Sequence, residues 1–127
     1  MEITEELKLG ISPQDDKSEK LQPKQVTIGD ITIETVGEKG SKKVILHCIH
    51  PDAPDKIKIS EAKIERSGKL EVVGLWVNKN KSDGMLRRNS GLAMLLNFLG
   101  CNTIEDLRLK TPLTIQGDNG YLAIKGY

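Results

Sequence analysis

From Gln25 onward, polar and apolar residues alternate. Val26 and Ile28, then Ile31 and Ile33, occupy every second position, and Thr27, Thr32 and Thr35 add β propensity. Gly29-Asp30 separates the two runs and marks a kink or tight turn, and Gly37 and Gly40 bracket a second turn. Residues 43–50 read as a strand with Val44, Leu46 and Cys48 on one face. Ile45, His47 and Ile49 lie on the other, a pattern expected of a central strand covered on both sides. Pro51 and Pro54 stop it, since proline cannot donate to a ladder. Residues 56–66 alternate again, but the parity shifts by one between Ile59 and Ala62. One extra residue near Ser60-Glu61 predicts a β-bulge. Ser67-Gly68-Lys69 then turns into a strand over residues 70–78.

The period changes after residue 89. Leu92, Leu95, Leu96 and Leu99 fall at i, i+3, i+4 and i+7, Ser90 precedes them as an N-cap, and Gly100 follows as terminator. Ala93, Met94 and Phe98 fill most of the remaining positions, so the helix is expected to be buried on more than one side. Thr103 is positioned to cap a shorter helix that Pro112 ends. Leu113 and Ile115 begin a strand, Gly117-Asp118-Asn119-Gly120 reads as a hairpin turn, and residues 121–125 return. The sum is about seven short strands, mostly at hairpin spacing, and one dominant helix. The expected fold class is mostly β: a small antiparallel OB-like β-barrel with one buried helix, with an α+β roll as the alternative.

The first 24 residues differ from the rest. Residues 11–24 are almost devoid of apolar side chains, too few to offset the entropy of ordering, so residues 1–24 are expected to form a flexible tail ahead of one β-rich domain over 25–127. Neither a signal-peptide pattern nor an apolar run of membrane-spanning length is present, which points to a cytoplasmic protein without a membrane partner. In such a reducing compartment Cys48 and Cys101 are expected to be free and buried.

The 127 residues carry a net charge of +1, unevenly distributed. Residues 1–36 hold four lysines against eight acids, and residues 37–110 hold fourteen basic residues against nine acids. A nearly neutral chain can therefore present a basic face. Lys56, Lys58, Lys63, Arg66 and Lys69 lie on the middle hairpin, and Lys79, Lys81, Arg87 and Arg88 lie in the loop before the helix, among Asn78, Asn80 and Asn89. A flexible loop of that composition can follow a phosphate backbone. Trp76 shares a face with Leu70 and Val72, which places it in the core; partly exposed, it would instead offer a stacking platform. The candidate nucleic-acid-binding residues are Lys58, Lys63, Arg66, Lys69, Trp76, Lys79, Lys81, Arg87 and Arg88.

Other chemistry finds less support. No GxSxG, HExxH or P-loop motif occurs, so a non-enzymatic protein without a cofactor is expected. In His47-Cys48-Ile49-His50, alternation turns His47 away from Cys48 and His50. A core cysteine beside a strand-end histidine is therefore expected there, rather than a metal site.

Ser90, Leu92, Leu95, Leu96 and Gly100, then Glu105-Asp106-Leu107, Lys110, Pro112-Leu113 and Gly120-Tyr121-Leu122 form a succession of landmarks. In this succession residues 75–127 resemble the C-terminal half of small phage-borne and archaeal-virus proteins found with DNA-replication and recombination genes. The resemblance covers under half of the chain. It implies an OB-like barrel and accessory nucleic-acid work, and offers no catalytic residue to carry over. The expected function is therefore a non-enzymatic domain that binds single-stranded DNA or RNA. The alternative is a protein-interaction or assembly module of a virus or mobile element, with a protein partner or a second copy as its ligand.

Overall fold

The alternating stretches become seven strands among the described residues, which are 21–117 and 120–127 of the computed structural model. β1 (Thr27–Val36), β2 (Ser41–Ile49) and β3 (Ile57–Ile59) make an antiparallel sheet in the order β1-β2-β3. β4 (Glu61–Arg66), β5 (Lys69–Gly74), β6 (Thr114–Gln116) and β7 (Leu122–Gly126) make a second sheet in the order β5-β4-β7-β6. The kink expected at Gly29-Asp30 and the bulge expected near Ser60-Glu61 are both present in altered form. The β1–β2 register slips between Ile28 and Asp30 without a turn. Ser60 separates β3 from β4, so one stretch of chain serves both sheets. The break lets Ile59 and Ala62 both face the interior, which unbroken alternation forbids.

The strands form two open sheets, not the closed OB-like barrel expected, and the pairing is mixed: β4 and β7 run parallel. The parallel pair arises because the chain between β5 and β6 crosses over as a helix instead of returning by a hairpin. The sheets are joined at two seams by isolated backbone hydrogen bonds. At one, Val44 N donates to Leu75 O (2.8 Å) and Val77 N to Lys42 O (2.8 Å). At the other, Val26 N donates to Pro112 O (3.0 Å) and Ile28 N to Lys110 O (2.9 Å).

Helix α1 (Gly91–Phe98) is capped as its sequence dictates. Ser90 Oγ accepts from Ala93 N at 3.2 Å, and Gly100 takes φ 72° just beyond the C-cap Leu99. Leu92, Leu95 and Leu96 are buried against the second sheet, and the helix comes so near that a Cβ at Gly126 would stand 3.2 Å from Leu95 Cδ1. The expectation of burial on more than one side fails at Phe98, which is 52% exposed, because only one face of α1 meets a sheet. Thr103 precedes a single 3-10 turn, Glu105–Leu107. One core unites Ile28, Leu46, Ile59, Ile64, Leu75, Leu95, Leu107 and Ile124, each at most 2% exposed. β2 is central in its sheet, but its second face is only partly covered: Ile45 is buried and Ile49 exposed.

Of the expected tail, residues 1–20 lie outside the described residues, as do residues 118 and 119 of the expected last turn. Residues 21–24 pack on the domain. Leu21 is buried, Lys24 N donates to Thr114 Oγ1 at 2.9 Å, and Thr114 Oγ1 donates back to Lys24 O at 2.7 Å. Among the described residues no helix is long and apolar enough to cross a membrane.

Candidate nucleic-acid interface

Residues 78–89 form a small hairpin and not the flexible loop expected. Lys79 and Leu86 bridge, Arg87 N donates to Asn78 O (2.8 Å) and Asn80 N to Met85 O (2.7 Å). Short polar side chains hold the tip. Asn80 Oδ1 accepts from Ser82 N (3.1 Å), Asp83 Oδ1 accepts from Met85 N (2.9 Å), and Gly84 takes φ 73°. Successive residues of an extended segment point to opposite sides. Arg87 therefore faces β5, whereas Leu86 and Arg88 face the other way, toward Ala93, Leu96 and Cys101.

On the Arg87 side lies an open cleft of about 490 Å³, lined among others by Arg66, Gly74, Trp76, Asn78, Arg87 and Asn89, with the start of α1 at Ser90 and Gly91. Trp76 belongs here and not in the core. Leu70, Val72, Gly74 and Trp76 do share a face, but Val73 and Leu75 carry the buried one; Leu70 is 47% exposed and Trp76 39%. A Cβ at Gly91 would stand 2.5 Å from Val73 Cγ2, so α1 begins directly against the inner face of β5. Lys43 Nζ lies 5.0 Å from the Trp76 ring centroid, a cation–π contact made across the β2 seam.

The two arginines of the cleft differ. Arg66 is engaged: Nη2 donates to Asn89 O at 2.9 Å, and Nη1 pairs with Glu71 Oε1 at 2.9 Å. It pins the end of the 78–89 hairpin to the β4–β5 turn, and its charge is matched. Arg87 donates only a long bond, from Nε to Lys79 O at 3.4 Å, and among the described residues no carboxylate pairs with it.

The remaining candidates do not join them. Lys58 stands on the first sheet opposite His47. Lys63 lies on the outer face of the second, between Val72 and Lys125. Lys69 is at the hairpin end opposite Arg66. Lys79 lines a different, largely apolar groove of about 490 Å³ with Ile33, Val77, Met85 and Ile104. Lys81 is exposed at the tip of the 78–89 hairpin, and Arg88 is on its far side. Of the nine, Arg66, Trp76 and Arg87 converge. The sequence does not point to Lys43 or Gly74: Lys43 enters through a bridge to Trp76 between strands distant in sequence, which alternation within one strand cannot reveal, and Gly74 through its contact with the indole two residues along.

His50 and Cys48 are structural. Asp52 N donates to His50 Nδ1 at 3.0 Å, so Nε2 carries the proton and donates to Gln22 O at 2.8 Å. His47 Nε2 bonds Thr32 Oγ1 at 2.9 Å on the outer face. Burial pushes the Cys48 thiol up to about 12, leaving it without nucleophilic character at neutral pH. Comparison of the chain with protein-family models, with curated proteins and with solved structures finds no match.

Proposed function

We propose that the protein is a non-enzymatic accessory domain that binds single-stranded DNA or RNA at the Arg87 cleft. The observation that carries this reading is the convergence of a guanidinium that pairs with no carboxylate among the described residues, an exposed indole and the acid-free start of a helix in one open cleft. A phosphate would meet Arg87 and the Gly91 and Leu92 amides at the start of α1, the Ala93 amide being taken by Ser90 Oγ. A base would meet the Trp76 ring. Reading the two sheets as an opened relative of an OB-like barrel belongs to the same proposal; the hydrogen bonds at both seams support it.

The test is a gel-shift panel of single-stranded DNA, duplex DNA and RNA at low and moderate salt. Binding of single strands that weakens with salt is expected; absence of any binding at low salt would remove the reading. A second reading, a protein-interaction module, is favoured by the apolar groove on the other side of the 78–89 hairpin, where Met85 is 68% and Ile33 52% exposed.

A further inference from the structure

We infer that the Arg87 cleft is a one-nucleotide site for an unpaired base, with Trp76 as its stacking wall and Gly74 and Lys43 as the residues that hold the indole in place. The inference rests on the nucleic-acid reading and narrows it. At about 490 Å³ the cleft falls within the roughly 300–1,000 Å³ of small-ligand sites, and it is far too small for a duplex.

The indole lies directly on the backbone of residue 74. A Cβ there would stand 2.5 Å from Trp76 Nε1 and 3.0 Å from Cδ1, so the ring takes this pose only because residue 74 is glycine. Gly74 does not have a positive φ, so its lack of a side chain serves the ring and not the turn of the chain. Lys43 adds a cation at 5.0 Å from the ring centroid. The same cleft offers the Arg87 guanidinium for an anion and the Asn78 and Asn89 amides for polar edges. A flat ring beside a phosphate is the chemistry of a nucleotide. Bases in a duplex are stacked on both faces and paired at their edges, so only an unpaired base presents a face to Trp76.

Trp76 is the only tryptophan in the chain, which makes its emission a direct report on the cleft. A short oligodeoxyadenylate and a duplex of equal length serve as probes, with fluorescence anisotropy of labelled strands as an independent measure of binding. The single strand is expected to quench Trp76 emission with the midpoint seen by anisotropy, and the duplex to bind more weakly without quenching. Trp76→Leu should weaken the single strand roughly 5- to 150-fold, the range expected for loss of one stacked base. Trp76→Phe should restore most of that loss. Gly74→Ala, which displaces the indole, should weaken binding in the same direction.

If single strand and duplex bind equally well, or Trp76→Leu binds like the wild type, or binding leaves the emission unchanged, the one-base site is wrong and the nucleic-acid reading stands without it. If neither polymer binds at low salt, both fall together.

Discussion

The two sides of the 78–89 hairpin carry opposite chemistry on one short piece of chain. Toward β5, Arg87 joins Trp76 and Arg66 in a polar cleft; toward the β1–β2 arm, Leu86 and Met85 join Ile33, Val77 and Ile104 in an apolar groove. The cause is the local pairing of Lys79 with Leu86, which extends the chain at that rung and sends Leu86 and Arg87 to opposite sides, while Met85 reaches the groove from the bend at the tip. Chemistry is separated here by backbone parity, not by distance along the sequence. A basic run in a sequence therefore does not mean a basic patch: Arg87 and Arg88 are adjacent and serve different surfaces.

The largest change to this comparison would come from beneath it. Leu95 is fully buried where α1 meets the second sheet, and α1 lends Gly91 to the Arg87 cleft and Ala93 and Leu96 to the Arg88 side of the hairpin. Leu95→Ala should cost about 2–5 kcal/mol in denaturant unfolding, through lost transfer energy and the cavity left behind, and should weaken both surfaces together. Ser90→Ala should cost about 1 kcal/mol, because the Ala93 amide loses its acceptor and the Arg87 carbonyl loses the Ser90 hydroxyl donor. Met85→Asp separates the two sides. With Met85 68% exposed, stability should move by no more than about 0.5 kcal/mol, and single-strand affinity should be unchanged in the gel shift, whereas any protein partner of the groove would be lost.

The smallest effect concerns acid. Asp106 accepts from the Asn102 and Thr103 amides at 3.0 Å each, and these bonds hold its carboxyl below the usual range. A depressed folded pKa contributes stability above the unfolded value of about 3.9, and this contribution disappears as pH falls through the folded value. The stability gap between wild type and Asp106→Asn should thus be open at neutral pH and close in strong acid, as followed by thermal unfolding at both.

Local signals in the sequence are legible where the structure is local. Ser90 caps α1, Gly100 ends it, and the parity shift between Ile59 and Ala62 marks the break at Ser60. What failed was non-local. The alternation of Leu70, Val72 and Trp76 was legible, but which face of β5 meets the core depends on where α1 lies, and Val73 and Leu75 took that role. The parallel β4–β7 pair leaves no mark in either strand alone. Arg66 looked like a phosphate ligand from composition; its pairing with Glu71 follows from the hairpin register. Lys43 was invisible as a site residue because its contact with Trp76 crosses the seam between sheets.

The central claim is that Arg87, and not its neighbour, meets the phosphate backbone. It is tested most directly by the slope of log affinity against log salt for a single strand, measured for the wild type, Arg87→Glu and Arg88→Glu. Each phosphate contact on a single strand contributes about −0.7 to that slope. Arg87→Glu should weaken binding of every sequence alike and flatten the slope by about 0.7, while Arg88→Glu keeps the wild-type slope. An unchanged slope in Arg87→Glu, or an equal loss in both variants, would contradict the assignment of the phosphate contact to Arg87 alone.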